Sequence, residues 1–523
     1  MTESFARIAA IIRADFRVRF RRVSTVVVFL LLSAFAYVWI PAPSTGRALI
    51  QINEHRAIYN SGAIGLGTAS LGMMFVGLFG YYVISNAIRR DITSRCGLVA
   101  ASTPMRSTEY LLGKFLGNLA FLVTFLAGFM LSSMAMLLLR AEAPLEPLVF
   151  LQQYLLLTPS AIILVSAVAV LFESIPLLSG KLGDVAYFFL YVIFLSVVVA
   201  NEATPGKFPW ARCFDFTGFG FMISQMQDVL HTDSISIGSS SFDPTKAPIV
   251  FPGLSLTRDW ILPRVVSMFL PLLLLPLAAL FFHRFDPVRT GRTSGKASRQ
   301  WIAKIQSSVK PLSRRAAAAL IAPARGQSFL TAIWIDAVLT LTLSPLAFLA
   351  FIGVSVVSVI APIAGVLPIV FALLAIIVSD ISTRDVRAGT TLSLYAIPRL
   401  RENFVWWKLG STCVLALIFC AAPLIVTAVL GPTLRVAALF GGVIFVASAA
   451  TALGVVSANA KTFIVGFLSF WYLVVNDKGA TPMLDFAGFY GRATTPTLLT
   501  YAALSVAAAG LAHLAYRWRL GRA

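Results

Sequence analysis

The chain has 523 residues, of which 58% are hydrophobic and only 12% charged, with a mean hydropathy of +0.85. Soluble domains carry about 25% charged residues, so this composition excludes a water-soluble globular protein. A formal net charge of +20 would suit nucleic acid, but the positions of the charges make that partner unnecessary.

Apolar runs near the ~20 residues that a bilayer crossing requires recur along the whole length. Twelve spans are predicted, at 24–41, 63–87, 110–138, 150–172, 185–200, 260–283, 344–360, 362–379, 404–430, 436–455, 462–475 and 498–516. The expected fold class is therefore an all-α integral membrane protein. With both termini inside, 31 of the 42 Lys and Arg fall on the cytoplasmic face and 11 on the outer face. The 22 acids divide 11 and 11. Lys and Arg placement is what sets topology. Anionic lipid headgroups and a cytoplasmic partner are the natural counter-charges, and no nucleic acid is expected.

Residues 4–22 predict an amphipathic helix. Ile8, Ile12, Phe16 and Phe20 repeat every four residues, and Arg13, Arg17 and Arg21 do so on a neighbouring face. Such a helix lies among headgroups; a plain basic flank is the competing reading. Six arginines run into the first span with no small-residue cleavage pattern, so no cleavable signal peptide is expected. The second span carries Gly65, Gly67, Ala69, Gly72, Gly77 and Gly80, small residues that allow close helix approach and an interior position.

A polar, basic segment follows, from Arg89 through Pro104 to Lys114. It has a second copy 294 residues on, which aligns Arg90 with Arg384, Asp91 with Asp385, Leu98 with Leu392, Pro104 with Pro398 and Lys114 with Lys408. Each copy sits between the second and third spans of its half. Each predicts a short cytoplasmic helix, 91–103 and 385–397, in halves related by a pseudo-two-fold axis. Asp91 or Asp385 would cap its start, and Pro104 or Pro398 would stop it. An ordinary basic loop is the bland alternative. Arg95 and Arg387 add charge, and Leu98 and Leu392 are candidate apolar anchors.

The outer segment 201–258 is dense in aromatics, among them Trp210, Phe214, Phe216, Phe219 and Phe221, and predicts an interfacial cap or re-entrant element. Its Ser/Gly stretch around Gly238–Ser241 is expected to be mobile. Asp215-Phe216-Thr217-Gly218-Phe219 after span five matches Asp485-Phe486-Ala487-Gly488-Phe489 after span eleven. Between the halves, residues 284–327 hold ten Lys and Arg against the single acid Asp286. They predict a basic cytoplasmic linker, either helical over 301–320 on the membrane surface or a disordered tether. The expected organisation is a first half 1–283, a linker 284–327 and a second half 328–523.

Several chemistries are missing from the sequence. There is no G-x-x-x-x-G-K-[ST] phosphate loop and no H-E-x-x-H. There is no G-x-S-x-G elbow either. Asp184, Asp336 and Asp380 sit at predicted span ends rather than near the midplane where ion-coupled carriers place ionisable groups. Of Cys96, Cys213, Cys413 and Cys420, only Cys213 falls outside, so no disulfide is expected there. No catalytic residue and no metal ligand is expected.

In plan, the chain resembles the membrane subunits of ABC-2 type ABC exporters, with two six-span subunits fused. The likeness rests on Arg13–Arg22, on Arg90-Asp91 through Pro104 to Glu109-Tyr110-Leu111-Leu112-Gly113-Lys114, and on Asp215–Phe219. The second half matches through Arg384-Asp385, Pro398, Lys408 and Asp485–Phe489. The resemblance implies an amphipathic connecting helix, a coupling helix between spans two and three, and a re-entrant outer element between spans five and six. It implies a bacterial cytoplasmic (inner) membrane location. It also implies two copies of a cytoplasmic ABC ATPase on separate chains, which bind the ATP and Mg; this chain would hold no cofactor. ATP-driven closure would pull the docking segments together and rock the halves, moving substrate outward. The first half, around Asn53-Glu54-His55-Arg56, also looks like permeases found fused to or beside M1-type zinc aminopeptidases, which adds a peptidase or periplasmic protein to the expected partners. The competing readings are an ion-coupled twelve-span secondary transporter and a membrane-embedded enzyme.

Overall fold

In hydrocarbon every backbone N–H and C=O must be paired within the protein, and a helix does this along its own length. The computed structural model is accordingly 79% helical. It describes residues 2–21, 23–202, 209–230, 235–283, 285, 296–322, 328–390, 393–394, 396 and 398–520. The chain divides into two units, Met1–Gly295 and Lys296–Ala523.

The first unit opens with α1 (Thr2–Phe20) and α2 (Val23–Trp39), bent by 78° into a pair long and apolar enough to cross a membrane together. Then come α3 (Ser61–Ile84), the short α4 (Ala87–Thr93) and α5 (Cys96–Ser102), and the long α6 (Ser107–Arg140) and α7 (Pro147–Ser174). The unit continues with α8 (Lys181–Glu202), α9 (Phe219–Leu230), α10 (Arg258–Phe269) and α11 (Leu274–Phe281). The apolar side of α1 faces protein: Phe20 meets Phe121 of α6 edge-on at 5.4 Å, while Arg13 and Arg17 stay exposed. The small residues of α3 bury it. A Cβ on Gly77 would stand 2.4 Å from the Tyr191 ring of α8.

The second unit begins with α12 (Lys296–Ile321), which packs on α13 (Phe329–Leu343) and α14 (Pro345–Ile360). The last two form a pair bent by 92°. There follow α15 (Ile363–Val378), α16 (Arg384–Ala388), α17 (Pro398–Phe419) with α18 (Ala421–Leu430) bent 56° from it, α19 (Thr433–Ser457), α20 (Ala460–Asp477) and α21 (Thr495–Leu520).

Among the described residues seven helices are long and apolar enough to span a membrane, or ten if each bent pair is one crossing, against the twelve expected. The shortfall falls partly on the predicted span 362–379. Its helix α15 has 16 residues, about 24 Å at 1.5 Å per residue, short of a ~30 Å hydrocarbon layer. Of the two readings of the linker, the helix expected over 301–320 is present, as one helix over 296–321, and it belongs to the second unit rather than to a separate linker.

The Ser/Gly stretch is not a mobile loop. It ends the strand β3 (Ile235–Ser241), which pairs antiparallel with β1 (Arg47–Ile52); β2 (His55–Arg56) flanks β1 on its other edge. Arg47 stands opposite Ser241 and Ala48 opposite Ser240. The buried Leu49, Ile50 and Ile52 anchor β1, so the Ser/Gly backbone finds ladder partners on a fixed strand. Asn53 and Glu54 both take positive φ, as a two-residue hairpin turn requires.

Arg56 ties this sheet to the loop after α6. Its guanidinium grips Glu142 with two bonds of 2.5 and 2.7 Å, and the Tyr59 N–H donates to the same carboxylate at 3.0 Å. The hydrogen bond from Arg56 holds the Glu142 carboxyl below its ordinary 4.5. A lowered folded pKa means that the stabilisation is complete above the unfolded value and is lost as pH falls through the folded one. Glu142→Gln should therefore lower the melting temperature at neutral pH and make no difference in acid well below 4.5. A constant gap between the two proteins across that range would show that the pair is idle.

Candidate functional site

The first repeated segment is two helices, not the single helix expected over 91–103. The chain breaks at Arg95, whose φ of +61° no L-residue holds inside a helix. The N-terminus of α4 is capped by Glu173 of α7, whose carboxylate accepts from the backbone N–H groups of Ala87, Ile88 and Arg89 at 3.1, 2.6 and 3.3 Å. Asp91 therefore has no capping role, contrary to expectation. It lies near the end of α4 and turns onto α6. As expected, α5 ends at Ser102, just ahead of Pro104.

Asp91 Oδ2 receives Lys114 Nζ at 2.7 Å and the Tyr110 hydroxyl at 2.8 Å. Lys114 is 3% exposed and also reaches both carboxylate oxygens of Asp15, on α1, at 3.0 Å. Arg90 donates to Asp15 Oδ1 at 2.6 Å. Two acids and two bases thus close into a neutral cluster that joins α1, α4 and α6. Burying Lys114 and Asp15, with Arg90 and Asp91 half-buried beside them, is tolerable only because each faces an opposite charge and the acceptors are shared out among donors.

The second unit builds the same cluster. Lys408, 1% exposed, bridges Asp385 Oδ2 at 2.7 Å and Asp336 Oδ2 at 3.5 Å. Arg384 donates to Asp336 Oδ1 and to the Thr340 hydroxyl, each at 2.8 Å. Here α13 stands in the place of α1. The stack under the lysine also repeats: Lys114 lies over the Tyr110 ring at 5.3 Å, and Lys408 over Phe404, in register with Tyr110, at 5.7 Å.

The helix expected over 385–397 is broken: α16 stops at Gly389 with φ +70°, and of the described residues beyond it Ser393 and Leu394 are helical again. Asp385 is in its first turn, yet its side chain goes to Lys408 rather than to a cap. Pro398 opens α17, so it starts the next helix rather than ending this one. Leu392 lies outside the described residues. Beside each cluster an apolar side chain is exposed at matched register, Ile92 in one copy and Val386 in the other. Leu98 and Val99 are exposed with them, next to the exposed Arg95; Arg387 is exposed beside Val386.

The two Asp-Phe-x-Gly-Phe motifs fold alike. Each follows a short 3-10 helix, Pro209–Phe214 or Pro482–Leu484. In each the Gly N–H bonds back to the Asp carbonyl, at 3.4 Å for Gly218 and 3.1 Å for Gly488, with φ near +70° at both glycines. Buried Asp215 accepts from the N–H of Phe221 at 2.9 Å, and buried Asp485 from those of Tyr490 and Arg492 at 3.3 and 2.7 Å. Phe216 packs on Phe194, and both Phe486 and Phe489 pack on Phe371, while Phe219 is half-buried.

An arginine holds each turn, from a different side. Arg264, fully buried on α10, donates to the Asp215 carbonyl at 2.9 Å and lies 3.8 Å from its carboxylate. It also donates to the Leu156 carbonyl of α7 at 2.5 Å, close to Pro159, which interrupts that helix's own bonding. In the second unit Arg435 of α19 donates to the carbonyls of Gly488 and Phe489 at 2.9 and 2.8 Å.

Asp15, Asp336, Glu173, Arg264 and Arg435 were not candidates in the sequence. The two acids lie on helices before the first span of each half and do not share the 294-residue interval. The reason is a length difference: a 3-10 turn and the β1–β2 hairpin separate α2 from α3, whereas only two residues separate α14 from α15. An acid on the helix that precedes the first predicted span of each half was the available signal.

Among the described residues no group of three or more His, Cys, Asp or Glu could hold a metal ion. Searches against protein-family models, curated proteins and solved structures find no match.

Proposed function

We propose that this chain is the membrane-spanning subunit of an ATP-driven exporter of the ABC-2 type. Its repeated segments dock two ATPase subunits carried on separate chains. The observation that supports this most is the duplicated cluster: in each unit a buried lysine bolts a short solvent-facing segment to the start of the following long helix and to the helix that leads into the first span. A segment that passes force from a partner to the spans needs such rigid attachment on one side. On the other side it needs an apolar surface for the partner, because buried apolar anchors carry most of an interface's energy while charges set register. Ile92, Leu98 and Val386 meet that need, with Arg95 and Arg387 beside them. In this reading the segments lie on the cytoplasmic side of a bacterial inner membrane, ATP and Mg belong to the partner, and the outer Asp-Phe-x-Gly-Phe turns are re-entrant elements of the exit side.

The test is copurification with an ATPase carrying a phosphate-loop motif. The chain alone should hydrolyse no ATP. Ile92→Asp, Leu98→Asp and Val386→Asp, all on exposed side chains, should each leave the melting temperature unchanged and cut ATPase retention at least about tenfold, as losing an interface anchor of ~1.4 kcal/mol or more does. Retention of the ATPase by all three, or transport driven by an ion gradient without any ATPase, would overturn the proposal; the second outcome would make the chain a secondary transporter.

A further inference from the structure

The helix α12 has no part in docking as proposed above. Its sequence, Lys296–Ile321, contains six Lys and Arg and no acid. One side is committed to the second unit. Ser313 is buried, Val309 and Ala316 are half-buried, and the Trp334 indole of α13 donates to the Leu320 carbonyl at 2.9 Å. The opposite side carries Lys310, Arg314 and Arg315, all exposed, and none of the three has an ion-pair partner among the described residues.

Three exposed cations with no ion-pair partner among the described residues form a surface that needs anions, and a face turned into protein would have its cations paired. The helix also packs on α14, half of a bent pair able to cross a membrane, so it sits within reach of a bilayer surface. We infer that the exposed face of α12 binds anionic phospholipid headgroups, with Lys310, Arg314 and Arg315 on the phosphates. Lys and Arg side chains are suited to this because their stems lie along apolar surface while their charges reach the headgroups.

The full chain, reconstituted in phosphatidylcholine bilayers with and without phosphatidylglycerol, tests the inference. Hydrogen exchange is read over residues 307–322. Exchange there should slow in the phosphatidylglycerol bilayer only, and high salt should reverse the effect. Each of Lys310→Gln, Arg314→Gln and Arg315→Gln should weaken the lipid-dependent protection about fivefold. The triple variant should lose it while exchange in the other helices stays as in the parent, which separates lost binding from lost folding. Equal protection in both bilayers, or a phosphatidylglycerol effect that survives in the triple variant, would overturn the inference. So would protection that appears only when RNA or an acidic protein is added.

Discussion

Lys114→Met should destabilise the purified protein by about 3–5 kcal/mol, the usual cost of leaving a buried charge without its partner. Lys114 bridges Asp15 and Asp91 at 3.0 and 2.7 Å, whereas Arg90, close to Asp15, reaches Asp91 only at 3.8 Å, so the loss of Lys114 sets two carboxylates near one another with only Arg90 to share. The informative variant is the double one. Lys114→Met with Asp91→Asn leaves Asp15 facing Arg90 at 2.6 Å, a neutral pair, and should recover most of the loss. The second unit predicts the same pattern for Lys408→Met and Asp385→Asn. In complex with an ATPase, the single variants should also uncouple hydrolysis from transport, since the docking segment would lose its tie to α1 and α6. Thermal unfolding and ATP-stimulated transport check both statements. A single variant costing under about 1 kcal/mol, or no recovery in the double, would mean that the cluster is not a closed unit.

Arg264→Leu is the other substitution expected to have a large effect. Arg264 is the cation beside the fully buried Asp215, and its fork also serves the carbonyls of Asp215 and Leu156. Its removal should again cost about 3–5 kcal/mol. Arg264→Lys should recover only part, because a single ammonium cannot span both carbonyls in the fork geometry. Arg435→Leu provides the comparison. Arg435 makes two hydrogen bonds to carbonyls, and they are not part of a buried ion pair. Its loss should cost about 1–3 kcal/mol, the range for orphaned hydrogen-bonding groups. Equal costs at the two sites, read by thermal unfolding in one detergent, would show that the Asp215 charge contributes nothing and that each arginine acts only as a turn clamp.

Much of this was legible in the chain. Membrane character follows from local run length and composition, because a bilayer selects for continuous apolar helix whatever the neighbours are. The 294-residue register was legible for Arg90, Asp91 and Lys114 because each copy runs from docking segment to long helix without insertion. The Asp-Phe-x-Gly-Phe turns were legible because a glycine with positive φ and an aspartate accepting nearby N–H groups are local demands.

Tertiary structure alone decided the rest, wherever the deciding contact joins residues far apart in the chain. Asp15 meets Lys114, and Asp336 meets Lys408, across stretches whose lengths differ between halves, so no single register brings both acids into line. The two arginine clamps come from α10 in one unit and α19 in the other, because a carbonyl accepts from whichever donor reaches it. Read locally, Gly238–Ser241 is a loop, since Ser and Gly have little strand preference of their own. It became a strand because β1, held by its buried side chains, offered an unpaired edge, and satisfying backbone hydrogen bonds outweighs weak intrinsic preference.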